Sequence, residues 1–466
     1  MKPNILLIVL DTVRYDHLSC YGYERETTPF LDSICDELVR FENVITPAHW
    51  TLPSHASIFT GLYPGEHGMW KEYHYLSTEI PTLAEIFAKF GYHTVCFSNN
   101  IFVGKKTGLH RGFQDMFEED NFRDISVYKR HILVRLVAKT FRTLKLASDE
   151  WGRIYSCKRA VDSVIRWLDK IWQPSSPFFM FINFLDAHWP LYPPKSFREK
   201  FNALECVRTV EPQHKVEALA HEIHPEQVKQ WLALYDASIA HLDSQLERLY
   251  TYLQGKGILD DTIIVILSDH GDYYGEHGLF GHSIGLYDPL IRVPMLIRYP
   301  ELFPPGTVFK PQVQTMDIFP TLLEACRINL KHLCRRRSLI QQMRWRLKED
   351  EYAFAECYGV SSEKVIENIL NYNPNYDLSR LSQSCKCVRT LKYKYIWSSS
   401  GNCEFYDLQN DPEETKNLIH KDIPWKKHLK HVLEEWTRNL TLHAPPIKGE
   451  EDNELVKQRL AELGYI

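Results

Sequence analysis

Several short apolar runs lie along the chain, and each ends in polar residues. Residues 5–10 end at Asp11, and residues 93–97 end at Ser98-Asn99-Asn100. Residues 178–184 end near Asp186 and His188, and residues 262–267 end at Ser268-Asp269-His270. Largely apolar runs of this length suit strands buried on both faces. Parallel sheets bind ligands beyond the carboxyl ends of their strands. The four runs are therefore expected to deliver Asp, Asn and His to one edge of one sheet.

Between the runs the apolar period becomes helical. Tyr235, Ile239, Leu242, Leu246, Leu249 and Leu253 fall on one helix face, which Gly255 and Gly257 can end. Residues 81–90 and 316–326 also predict helices. Strand and helix alternate, so the expected class is α/β, doubly wound around a mostly parallel sheet. Two regions break this alternation. Residues from about 120 to 230 read as a helical, loop-rich stretch with one buried strand. Beyond about 350, segments 387–390, 392–397 and 404–406 read as short antiparallel strands, followed by a helix over about 425–439. The expected organisation is one large α/β unit over 1–340 and a small-sheet subdomain with a terminal helix over 350–466. There is no internal repeat.

Composition narrows the class. At 466 residues the length allows about three domains, or one large enzyme-sized unit. The net charge of −5 argues against a nucleic-acid protein and against a disordered acidic tail. The 11 cysteines are odd in number and scattered, which speaks against a secreted disulfide framework. Cys385 and Cys387 lack a second pair at zinc-site spacing and read as plain thiols. No apolar run reaches the roughly 18 to 20 residues of a membrane span. The first apolar run reads as a strand rather than a signal peptide, so the expected location is the cytoplasm.

Candidate chemistry begins at His49-Trp50-Thr51-Leu52-Pro53-Ser54-His55. Pro53 fits the first turn of a helix, with Thr51 at or just before its start. Thr51 is then either a helix cap or a nucleophile. A helix N-terminus offers N–H groups and partial positive charge to an oxyanion, but a hydroxyl still needs a base or a metal to activate it. Asp11, Asp269 and His270 are candidate ligands for that metal. Two carboxylates, an imidazole and a hydroxyl suit Mn²⁺ or Zn²⁺, with Ca²⁺ or Mg²⁺ less favoured.

The stretch from Asn4 through Asp11-Thr12-Val13-Arg14-Tyr15-Asp16 resembles the start of the sulfatase family in the alkaline phosphatase superfamily. Thr51-Leu52-Pro53-Ser54-His55 falls where that family has its nucleophile motif, Cys/Ser-x-Pro-Ser-Arg. Ser268-Asp269-His270-Gly271-Asp272 and Gly275-Glu276-His277-Gly278 resemble a metal motif. Arg292-Val293-Pro294, Asp317-Ile318-Phe319-Pro320-Thr321-Leu322 and the stretch from Phe405 to Leu418 are also similar. The resemblance implies an alkaline-phosphatase-like fold and a metal-dependent ester hydrolase.

The departures bear on mechanism. Sulfatases proper oxidise Cys or Ser to formylglycine. Thr51 cannot give that aldehyde, so no formylglycine is expected. His55 stands at the motif's Arg, and Thr12 at the second Asp of the usual Asp-Asp pair. The ligand set Asp11, Thr51, Asp269 and His270 is similar to single-metal members that act on phosphonate or phosphoglycerol esters. Two-metal relatives carry Asp-x-x-x-His, whereas Asp186 is followed by Pro190. One divalent ion (Mn, Zn or Ca) is therefore expected. The resemblance also makes His188 and His282 candidates for contacting the transferred group or leaving oxygen. Arg14 is a candidate for orienting Asp11 or contacting substrate, or forms a plain salt bridge. Asn100 or Asn99 faces the site, and His277 stands behind it. The expected substrate is a small-molecule, lipid or sugar ester of phosphate, phosphonate or sulfate. The alternatives are transfer to an alcohol acceptor and an inactive binding module. Residues 127–147 carry six basic and no acidic residues, interleaved with apolar ones. They read as a solvated helix face or as a peripheral membrane contact.

Overall fold

In this computed structural model the described residues are 2–71, 74–98, 100–118, 157–203, 223–344, 352–359, 363–376 and 378–448. The basic stretch 127–147 and Asn99 lie outside them.

Eight strands form the central sheet: β1 (Asn4–Leu10), β2 (Val39–Ile45), β3 (His93–Ser98), β4 (Asp115–Glu118), β5 (Phe178–Phe184), β6 (Thr262–Leu267), β7 (Arg292–Arg298) and β8 (Thr307–Gln314). Their order is β8-β2-β7-β6-β1-β5-β3-β4. β7 runs against β2 and β6, while the other pairings are parallel. The mostly parallel sheet expected from the apolar runs is present. β1 lies between β6 and β5, with Val9 level with Leu267 and Asn183. Asp11, the segment after β5 and Asp269 therefore leave the sheet at one edge.

β1 is buried throughout because both sheet faces are covered. Ile5, Leu7 and Val9 point into one core, shared with α1 (Thr51–Thr60), α2 (Leu83–Lys89) and α5 (Ile318–Ala325). Leu6, Ile8 and Leu10 point into the other, shared with α3 (Cys157–Lys170) and α4 (Pro225–Gly255). All six apolar positions that predicted α4 are buried.

A second sheet, antiparallel throughout, has the order β9 (Ala353–Cys357), β10 (Cys385–Arg389), β11 (Tyr393–Ser398) and β12 (Glu404–Asp407). Helix α6 (Pro424–Asn439) packs Leu429 and Leu433 against Val388, Tyr395 and Phe405 on one face. The other face meets Leu286, Leu290 and Ile291. Buried Lys394 ties this sheet to the segment before β7, at 2.6 Å from Asp288 and 2.7 Å from Glu414. Cys385 and Cys387 are buried free thiols on β10. No helix among the described residues is long and apolar enough to cross a membrane.

Candidate active site

Thr51 is the first residue of α1, preceded by Trp50 in extended conformation with no side-chain cap. The Thr51 hydroxyl is thus not spent on capping. It lies 3.3 Å from His270 Nε2. The His270 Nδ1–H donates to the Gly271 carbonyl at 2.8 Å, which fixes the tautomer and turns Nε2 toward the carboxylates. That nitrogen is 3.3 Å from Asp269 Oδ2 and 3.9 Å from Asp11 Oδ1. Only glycine fits at 271, because a Cβ there would stand 2.0 Å from the Pro289 carbonyl oxygen.

Each carboxylate has one oxygen fixed and one turned inward. Asp11 Oδ2 accepts from Asn100 Nδ2 at 2.8 Å and from Asn183 Nδ2 at 3.5 Å. Asp269 Oδ1 accepts from the His270 N–H at 2.9 Å and the Thr12 N–H at 3.3 Å. Thr12 holds a left-handed backbone, φ 60°, which a β-branched residue rarely adopts. Tyr235 braces it by donating to its carbonyl at 2.7 Å. This strain turns the Thr12 N–H onto Asp269, where the family motif has a second Asp.

Asp11 Oδ1 and Asp269 Oδ2 are buried with no hydrogen-bond partner. Burial, then repulsion from Asp269, pushes Asp11 up to about 8. Burial pushes Asp269 up to about 7, against hydrogen bonds from the Thr12 and His270 amides. Two orphaned carboxylate oxygens and an imidazole nitrogen, all within 4.8 Å of one another, form an acceptor-only cluster that fits a divalent cation.

Around the cluster, His55 is fully buried. Its Nδ1–H donates to the Thr51 carbonyl at 2.9 Å, and its Nε2 accepts from Asn183 at 3.3 Å. Burial holds it down at about 3, so it stays neutral. His282 Nδ1 is 3.0 Å from Asp272 Oδ1. The His282 ring lies tilted, with its centre 4.6 Å from that of His270 and 5.1 Å from that of His188. His188 Nδ1 bonds the Trp189 carbonyl. Arg14 is engaged elsewhere, with Asp16 at 2.7 Å, Glu276 at 2.6 Å and the Asp272 carbonyl at 3.1 Å. It braces the loop carrying Asp272. His277 stacks on Tyr287 at 3.6 Å, toward the small sheet.

The structure thus gathers Asp11, Thr51, His55, His188, Asp269, His270 and His282 in one place, with Asn100 beside them. It adds Asn183, Thr12 and Asp272, and buried His49, which burial and then the neighbouring His270 hold at about 3. Asn183 had a readable signal: it is the polar residue inside the apolar run 178–184.

Known proteins resemble the chain over most of its length. The Sulfatase family model matches residues 3–328. The model of the N-sulphoglucosamine sulphohydrolase C-terminal region matches residues 275–440. An arylsulfatase of Clostridium perfringens is 28% identical, covering 91% of each chain. A phosphonate monoester hydrolase of Agrobacterium radiobacter superposes with a TM-score of 0.74 at 20% identity, over 96% of this chain and 100% of that one. A protein solved with its substrate, D-glucosamine-2-N,6-O-disulfate, gives 0.73 at 19% identity, over 94% and 98%. The chain belongs to the sulfatase family and is a hydrolase of that family on the alkaline-phosphatase-like fold.

Proposed function

We propose that the protein hydrolyses phosphate, phosphonate or sulfate esters with Thr51 as nucleophile and one divalent metal ion held by Asp11, Asp269 and His270. The observation that carries this reading is the buried Thr51 hydroxyl, uncapped at a helix start and 3.3 Å from His270 Nε2, beside two orphaned carboxylate oxygens. When bound, the ion neutralises these carboxylates, lowers the pKa of the hydroxyl and polarises an ester oxygen.

The residues then divide the work. Thr51 Oγ attacks phosphorus or sulfur, its proton passes to solvent, and the bond to the ester oxygen breaks. His282, aligned through Nδ1 by Asp272, gives its proton to the departing oxygen. His188 lies beside His282 and stabilises the transferred oxygens. Water then cleaves the threonine ester, returning one proton to His282 and restoring the Thr51 hydroxyl. Neutral His55 and Asn100 keep Asn183 and Asp11 in register through their hydrogen bonds. A threonine cannot use the two-oxygen release of an aldehyde hydrate, so this second attack by water is required.

The phosphonate monoester hydrolase among the fold neighbours and the arylsulfatase among the relatives both support an ester substrate. The test is a panel of aryl phosphate monoesters, diesters, phosphonates and sulfates with Mn²⁺, Zn²⁺ and Ca²⁺. At least one class should turn over, and Thr51→Ala should abolish it. Unchanged turnover in Thr51→Ala would overturn the mechanism. Alkylated product on adding alcohols would redirect it to group transfer.

A further inference from the structure

Three potential ligands meet outside the Asp11 cluster. Cys157 is the first residue of α3, Asp186 follows β5 by two positions, and His241 stands in the middle of α4. Cys157 Sγ is 3.6 Å from His241 Nδ1, and that nitrogen is 3.5 Å from Asp186 Oδ1. The three ligand atoms lie within 4.8 Å of one another. Cys157 and His241 are buried, and the Asp186 side chain is 10% exposed. The other Asp186 oxygen accepts from the Cys157 N–H at 2.7 Å, which holds the carboxylate in place. The His241 ring is packed against Phe197 at 5.2 Å.

The spacing discriminates between explanations. An N···O separation of 3.5 Å is too long for a good hydrogen bond. Around tetrahedral zinc, with Zn–S about 2.3 Å and Zn–N or Zn–O about 2.0 to 2.2 Å, the S···N edge is about 3.6 Å and the N···O edge about 3.4 Å. Both measured edges match those values. Fixing the start of α3 needs only one carboxylate oxygen. It does not account for a thiol and an imidazole converging beside the other oxygen.

We infer that Cys157, Asp186 and His241 bind a zinc ion, with water completing the tetrahedron at the Asp186 edge. Thiolate, imidazole and carboxylate together select zinc over calcium or magnesium. Burial, then repulsion from Asp186, pushes the Cys157 thiol well above its ordinary range. The thiol is therefore inert until a cation replaces its proton, which leaves to solvent. The ion fastens α3 and α4 to the segment that carries His188. This site stands whether or not the Asp11 cluster works as proposed.

The test is cobalt substitution in the full-length protein. The Asp11 cluster has no sulfur ligand, so a thiolate-to-cobalt charge-transfer band reports the Cys157 site alone. Wild type and Asp269→Asn should both show the band. Cys157→Ser and, as a second variant, His241→Gln should lose it, together with about one equivalent of tightly bound zinc. No band in wild type, or a band that survives in Cys157→Ser, would overturn the proposal.

Discussion

Asp11→Asn should stabilise the metal-free protein while destroying its response to Mn²⁺. In the folded chain the Asp11 carboxyl is raised from 3.8 to about 8, mainly by burial and then by Asp269. A carboxyl whose folded pKa is raised contributes stability that is complete below its unfolded pKa. That contribution is lost as pH rises toward the folded pKa. At pH 7 the interval above 3.8 is about 3 units, which at 1.36 kcal/mol per unit is about 4 kcal/mol. This is an upper figure, because the two carboxylates share their repulsion. Asn carries no charge in either state and escapes the penalty. Its Oδ1 can take the hydrogen bond that Asn100 gives to Asp11 Oδ2 at 2.8 Å. Its N–H₂ then faces the acceptors on Asp269 and His270. Urea unfolding in chelator should show the variant about 2 to 4 kcal/mol more stable at pH 7, with the gap closing near pH 4. Adding Mn²⁺, which a site with a thiolate ligand does not favour, should raise only the wild type, by about 2.7 kcal/mol at a hundred times Kd. A variant no more stable than wild type in chelator, or one that responds equally to Mn²⁺, would refute this reasoning.

Two further predictions test other parts of the structure. Lys394→Met removes the cation between Asp288 and Glu414 and should cost about 3 to 5 kcal/mol in urea unfolding. A cost below about 1 kcal/mol would show that this cluster does not tie the small sheet to the large one. Asp272→Asn should misalign His282 and lower kcat about 100-fold for esters with poor leaving groups, but less than 10-fold for activated aryl esters. Equal losses on both substrates would remove His282 as the proton donor.

Much of this fold was legible because its inner strands are buried on both faces. β1, β3, β5 and β6 announce themselves as largely apolar runs, and the residues just past β1, β3 and β6 form the acceptor cluster and its support. β2, β4, β7 and β8 were missed, β2 and β8 because each mixes buried with partly exposed positions. The reversed direction of β7 depends on pairing across the sheet, which local periodicity does not encode. The same limit applies within the site. Asp11, Thr51, Asp269 and His270 could be named from their motifs, and the structure adds which oxygen of each carboxylate is held. Arg14 was read as a candidate for the site. A plain salt bridge was the other reading, and Arg14 pairs with Asp16 and Glu276. Thr12 was legible as the residue at the family's second Asp, and its left-handed backbone adds the N–H that it gives to Asp269. Cys157, Asp186 and His241 are far apart in the chain, so their convergence leaves no sequence signal.

The central claim is that Thr51 carries the transferred group. The most direct measurement is rapid acid quench of the metal-loaded enzyme with its fastest ester substrate, followed by peptide mass mapping. The account predicts one added phosphoryl, phosphonyl or sulfuryl mass on the peptide containing Thr51, formed and lost within the turnover time and missing in Thr51→Ala. An adduct on another residue, or full turnover in Thr51→Ala, would contradict it.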